Sequence, residues 1–266
     1  MPSTGGELSG AWNFRDVSDQ TGIAPGRFFR ASELSKLDDR GRAALAGYGV
    51  TDVADLRTSR ELERHGPGLV PAGVEIHHLP FVETMAADGE SPHEHAFQRM
   101  MTDKRADEPV VDAAARYMTE EYGRIASAPL ARRAVHRVVT LLGSEHAVLA
   151  HCFAGKDRTG FTIAVVLEAA GVDRDAIMAD YLRSNVAVPQ LRESILESVR
   201  VRAAEAPEIM ELAEARLTDA VLGVREQYLD TARRTIDDEY GSLTSYLAAA
   251  GVTEEDVRRL RKALHG

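Results

Sequence analysis

One cysteine occurs in the 266 residues, and its surroundings dictate the local fold: Val148-Leu149-Ala150, then His151-Cys152-Phe153-Ala154-Gly155-Lys156-Asp157-Arg158-Thr159-Gly160, then Phe161 to Ala170 before Gly171. The apolar triplet reads as the end of a buried strand and 161–170 as a helix stopped by glycine. A strand that turns tightly into a helix is an α/β element, and its loop places backbone amides at a helix N-terminus, where anions are favoured. Five residues between Cys152 and Arg158 let a guanidinium come round to close a phosphate-sized bowl.

That pattern suits a cysteine-dependent phosphatase loop. A phosphate monoester carries about two negative charges, so it needs several converging donors. The amides of Phe153, Ala154, Gly155, Lys156 and Asp157 supply them, with Arg158 forking onto two equatorial oxygens. The helix end, Arg158 and Lys156 favour a thiolate at Cys152, the nucleophile. Asp157 is the nearest carboxyl in sequence, suited to protonate the leaving oxygen and then activate water. Thr159 offers a hydroxyl to the departing sulfur, and Gly155 lets backbone approach closely. The competing interpretation is a small buried hydrophobe at Cys152 and a solvated turn at 156–158.

A net charge of -10 and a pI near 5.4 argue against non-specific nucleic-acid binding. The first residues lack the cationic start and apolar stretch of a Sec-type signal, and no run reaches transmembrane length, so cytoplasmic synthesis of a soluble product is expected. A single cysteine excludes an intrachain disulfide and a four-cysteine zinc site. His77-His78 and His93-Glu94-His95 lack HExxH spacing and read as strand and loop histidines, so neither metal nor organic cofactor is expected.

Strands are expected at 28–32, 51–56 and 74–79, the first two joined by a helix over 38–48 in a βαβ unit. Residues 85–109 lack sustained periodicity and read as an excursion. Helices are expected at 111–126, 130–142, 174–183, 190–205, 208–217, 221–238, 242–249 and 254–264. The fold class is α/β, a central mostly parallel sheet flanked by helices. With no Pro/Gly/Ser linker, 1–266 reads as one domain. Its late helices fit either packing behind the sheet or a lid over the pocket.

Beyond the loop, the segments Trp12-Asn13-Phe14-Arg15-Asp16, Asp55-Leu56-Arg57, Leu79-Pro80-Phe81, Arg116-Tyr117-Met118-Thr119, Asp180-Tyr181-Leu182-Arg183-Ser184-Asn185 and Tyr240-Gly241-Ser242-Leu243 resemble the mycobacterial protein tyrosine phosphatase B family, essentially end to end. The resemblance implies a phosphatase-type α/β fold with a two-helix lid, placed here near 200–240. It implies phosphotyrosine, phosphoserine/threonine and phosphoinositides as substrates, export by the bacterium and action on host signalling. By position, Cys152 is its nucleophile, Arg158 and the amides of 153–157 its phosphate ligands, and Asp157 its acid. Lys156 takes the position linked with phosphoinositide recognition, which brings transient membrane-surface contact. The chain departs from the family pattern at Val82-Glu83, where proline and aspartate are usual, so an acid on a separate loop would be Glu83.

His151, Asp55 and Arg57 take supporting roles, the last two through an ion pair bracing the loop at a strand end, and Arg15 and Asp16 brace the N-terminal strand. Tyr117, Met118 and Tyr122 fit core packing or an entrance lining. A phosphate-binding scaffold without turnover is the alternative function. A redox or arsenate-reducing thiol enzyme would want resolving cysteines that the chain lacks. Oligomeric state is left open.

Overall fold

The computed structural model describes residues 8–81, 108–202 and 207–266. Its centre is the strand that precedes the cysteine, β5 (Val148–His151), in which all four residues are buried. It lies between β2 (Phe28–Ala31) and β3 (Asp52–Asp55), parallel to both, with Leu149 opposite Phe29 and Val53. At the edges β4 (Glu75–His78) runs parallel to β3, and β1 (Arg15–Asp16) antiparallel to β2. Among the described residues the sheet is therefore β1-β2-β5-β3-β4, mostly parallel as expected. The chain crosses from β2 through α2 (Asp39–Gly47) to β3 but leaves a gap that β5 fills, so the anticipated βαβ strands are not neighbours. Only the long-range pairing of β5 could reveal this.

Strand alternation gives the sheet two apolar faces. Phe29, Ala31, Val53 and Leu149 pack with Leu34, Leu37 and Leu45 beneath α2. Phe28, Ala54, Val148 and Ala150 face the larger layer of α4 (Val110–Ser127), α5 (Pro129–Gly143), α6 (Asp157–Ala170), α11 (Glu226–Tyr240), α12 (Leu243–Ala249) and α13 (Glu254–His265). Each fully buried Leu or Phe contributes about 1.5–3 kcal/mol. Smaller pieces complete the chain: α1 (Ser18–Thr21), α3 (Ser59–His65), α7 (Arg174–Leu182), a 3-10 turn (Arg183–Ala187), α8 (Val188–Arg202), α9 (Pro207–Arg216) and α10 (Asp219–Leu222).

Two helices depart from expectation by more than a residue or two among the described residues. α6 begins at Asp157 and not at Phe161, because the amide of Gly160 bonds the Lys156 carbonyl and makes the end of the loop the first helical turn. It is buried on all sides except at Glu168, as an apolar helix through a core should be. The helix expected over 221–238 is broken into α10 and α11 at Gly223. There the Asn185 side chain accepts from Val224 N at 2.7 Å and donates to its carbonyl at 3.0 Å. A Cβ on Gly223 would lie 2.8 Å from Asn185 Oδ1, so glycine is needed for the approach. Of the segment 200–240, α11 buries Tyr228, Leu229, Ala232 and Ile236 in the core. No helix among the described residues is long and apolar enough to cross a membrane.

In that core the Tyr246 hydroxyl is buried without a hydrogen-bond partner. Tyr246→Phe is expected to raise unfolding stability by about 1 kcal/mol, since an unsatisfied buried hydroxyl costs roughly 1–3 kcal/mol. Urea denaturation reads this directly, and a destabilised variant would contradict it.

Candidate active site

β5 ends at His151 and releases the loop beneath the N-terminus of α6. Cys152, Ala154, Lys156 and Asp157 are each 2% exposed, Arg158 3% and Phe153 7%, so the loop is sealed in this state. Gly155 has φ +64°, and a Cβ there would sit 2.1 Å from the Ala31 carbonyl oxygen, which makes glycine obligatory on both counts. The loop carbonyls are pinned outward. Asn13 Nδ2 donates to Ala154 O at 3.2 Å and Gly155 O at 2.9 Å, Arg30 Nη2 to Gly155 O at 2.7 Å, and Glu33 N to Phe153 O at 3.0 Å. In a planar trans peptide the N–H points opposite to its C=O, so these bonds turn the amides of Ala154, Gly155 and Lys156 the other way.

A buried charge triad holds the pins. Asp180 on α7 accepts from Arg15 Nε at 2.7 Å and Arg30 Nη1 at 2.6 Å, while Arg15 Nη1 bonds Asn13 Oδ1 at 2.6 Å. Burial, then the Arg30 charge, lower Arg15 to about 10 despite Asp180. Burial acts to raise Asp180, but Arg30 and Arg15 outweigh it and hold it low. Arg15 and Asp180, 165 positions apart, thus serve one loop. Asp16 braces its own turn, accepting from Ser18 N and Gly26 N.

Arg158 folds back onto Glu61, with Nη1 and Nη2 at 2.5 and 2.7 Å from its two oxygens, and Nη1 donates to Leu56 O at 3.1 Å. Burial opposes the charge, but Glu61, then Cys152 and Asp157, raise the Arg158 pKa. Glu61 was not anticipated as a site residue. Its signal was legible as the capping box Thr58-Ser59-Arg60-Glu61, in which Thr58 N donates to Glu61 Oε2 at 2.7 Å. One carboxylate therefore starts α3 and orients the loop arginine.

Asp157 Oδ1 accepts from Tyr122 Oη on α4 at 3.0 Å, and Tyr181 Oη on α7 donates to Tyr122 Oη at 2.7 Å. Burial, then the Asp157 charge, push both phenols well above their ordinary range. Lys156 Nζ donates to the same Asp157 oxygen at 3.2 Å and to Val221 O and Gly223 O at 3.0 and 3.1 Å. Its ammonium is turned into the α10 segment rather than toward solvent. Both cations expected to act on the thiol thus have carboxylate partners.

Asp55 and Arg57 form the anticipated ion pair, with Nε–Oδ1 at 2.9 Å and Nη2–Oδ2 at 2.7 Å. Arg57 Nη1 reaches Glu33 at 3.2 Å, the residue whose amide holds Phe153 O, so the pair touches the loop through one intermediary. Burial works to raise Asp55, but His151 and Arg57 bring it down to about 2. Burial lowers His151, and its Nδ1 lies 3.2 Å from Cys152 O. The Thr159 hydroxyl, Arg158 Nε and His151 Nε2 are buried without hydrogen-bond partners.

Glu83, the alternative acid, lies outside the described residues, as do most of 85–109 and His93 and His95. His77, on the edge strand β4, places Nε2 2.7 Å from Oδ1 of Asp52 at the start of β3, and His146 Nδ1 meets the second Asp52 oxygen at 2.6 Å. His78 Nε2 is 3.0 Å from Arg57 O. Tyr117 and Met118 pack in the core. An open cleft of about 1450 Å³ adjoins the loop, walled by Trp12, Glu33, Arg64 and His65 on one side and by α8 residues including Pro189 and Leu196 on the other. The His65 ring meets Phe153 edge-on at 5.1 Å.

The model of the tyrosine phosphatase family matches residues 6–266. The chain is 54% identical to the triple specificity protein phosphatase PtpB of Mycobacterium tuberculosis, across 98% of this chain and 99% of that one. It is 27% identical to a tyrosine-protein phosphatase of Nostoc commune, across 92% of this chain and 76% of that one.

Proposed function

The chain belongs to the tyrosine phosphatase family, and from that premise we propose that it hydrolyses phosphate monoesters through a phosphocysteine intermediate. Phosphotyrosine, phosphoserine/threonine and phosphoinositides are its substrate classes. The observation that carries this is the outward pinning of the loop carbonyls between Cys152 and Arg158. It leaves successive amides and a guanidinium to converge on one anion. The triple specificity in the name of the mycobacterial relative supports the breadth of substrates.

In the first half-reaction the Cys152 sulfur attacks phosphorus while Asp157 protonates the leaving oxygen. In the second, Asp157 removes a proton from water, which attacks phosphorus and releases the sulfur beside the Thr159 hydroxyl. Glu61 holds Arg158 in the plane needed to grip two equatorial oxygens. The fork strengthens as charge spreads in the transition state. Because the loop is sealed, entry needs the Lys156 ammonium to release Val221 and Gly223. Of the segment 200–240, the part up to Gly223 then acts as the lid while α11 stays in the core, and a freed Lys156 meets a second phosphate of an inositide. Export and action on host signalling belong to the same proposal and rest on the resemblance.

The test is phosphate release from phosphotyrosine and phosphothreonine peptides and from phosphoinositide vesicles, with chelator present throughout. Asp157→Asn is expected to lower kcat about 100-fold on alkyl phosphates and less than about tenfold on aryl phosphates, whose leaving groups need little protonation. Release from none of the substrates would support the phosphate-binding scaffold. A silent Asp157→Asn beside a crippling Glu83→Gln would move the acid to Glu83.

A further inference from the structure

Tyr122 is buried completely, and its hydroxyl donates to a carboxylate of the site when core packing alone would be served by phenylalanine. Burying a phenol is costly unless its oxygen is bonded, and this one is bonded on both sides: it donates to Asp157 at 3.0 Å and accepts from Tyr181 at 2.7 Å. The two rings come from α4 and α7 and pack edge to face at 6.2 Å, so the dyad joins two helices at the loop.

We propose that Tyr122, polarised by Tyr181, is the positioning residue for the general acid–base Asp157. The inference rests on the Asp157 assignment above. Tyr122 takes Oδ1, which leaves Oδ2 to carry the proton and fixes the plane in which it is delivered. When Oδ2–H protonates the leaving oxygen, the bond to phosphorus breaks with its electron pair on that oxygen, and the negative charge stays on Asp157. Tyr122 O–H then faces a full carboxylate, a charge-assisted bond stronger than the neutral one before transfer. The Tyr181 O–H strengthens that donor by polarising it. The gain exists after proton transfer, so it acts on kcat and not on substrate binding. Gly160 on α6 keeps the dyad close, since a Cβ there would lie 2.8 Å from the Tyr181 ring.

Tyr122→Phe is expected to lower kcat about tenfold on an alkyl phosphate while changing it less than about threefold on p-nitrophenyl phosphate, with KM within about twofold for both. In an Asp157→Asn background the same substitution should have no further effect on kcat. Because Tyr122→Phe strands the Tyr181 hydroxyl, the double variant Tyr122→Phe/Tyr181→Phe, which leaves no orphan, is measured alongside and should show the same loss. Tyr246→Phe serves as a control with unchanged kcat. An equal loss on aryl and alkyl substrates, or an undiminished loss in the Asp157→Asn background, would make Tyr122 a packing residue and overturn the proposal. If Asp157→Asn itself spares alkyl substrates, the acid assignment fails first, whatever Tyr122 does.

Discussion

Replacing Cys152 with serine will lower kcat by about 10,000-fold or more on every substrate while leaving phosphate binding within a few fold. A thiolate attacks phosphorus directly, whereas a serine hydroxyl at neutral pH needs a base to remove its proton. Neither imidazole nor carboxylate is bonded to the Cys152 side chain among the described residues, and His151 Nδ1 faces the Cys152 carbonyl instead. Binding should survive because its donors are backbone amides and Arg158, all fixed by bonds that do not involve sulfur. The fold should tolerate the change, since serine matches cysteine in size and the new hydroxyl costs roughly 1–3 kcal/mol at most. Stopped assays measure the turnover, and calorimetric titration with inorganic phosphate measures the binding. Turnover within tenfold of wild type would remove Cys152 from the mechanism.

Asp180→Asn will be the most damaging single change to stability, by about 3–5 kcal/mol. Asp180 is 1% exposed and receives Arg15 and Arg30, themselves 4% and 0% exposed. An amide has one acceptor oxygen and would turn an NH2 toward a guanidinium, leaving two buried cations without their anion. At about 2–4 °C per kcal/mol for chains near this size, the midpoint should fall by roughly 10 °C. Activity should fall further than stability explains, because Arg30 Nη2 also holds the Gly155 carbonyl. Loosening it frees the peptide whose N–H belongs to the bowl, so KM for substrate and the inhibition constant for phosphate should rise together. A midpoint within about 2 °C of wild type would show that water or rearrangement compensates for the lost charge.

The strands β2 to β5 and most helices were legible because period-two and period-3.6 patterns, together with Gly171 and Pro129, are local signals. The α6 start was misplaced by four residues because Lys156-Asp157-Arg158-Thr159 is polar and looks like loop. Its polar groups are nevertheless buried at the start of the helix, where Lys156, Asp157 and Arg158 bond Val221, Gly223, Tyr122 and Glu61. The break at Gly223 was missed because its cause, Asn185, is remote in sequence. Glu61 was passed over, and Tyr122 was read as core packing or entrance lining and not as a partner of Asp157, for a similar reason. A capping glutamate and a core tyrosine have sufficient local explanations, and nothing in their own segments points to the loop.

The sequence by itself determined the local arrangement from which the proposed chemistry follows: a cysteine, five residues, an arginine and a following hydroxyl, set between a strand and a helix. Covalent spacing fixes those distances, so neighbours in the chain remain neighbours in any fold. Only the tertiary structure decided what holds that loop in shape. Asn13 comes from the bend before β1, Arg15 from β1, Arg30 from β2, Glu61 from α3, Tyr122 from α4, and Asp180 and Tyr181 from α7. These contacts join positions dozens to well over a hundred apart. Their partners are chosen by which faces the sheet and helices bury together, which no local pattern encodes.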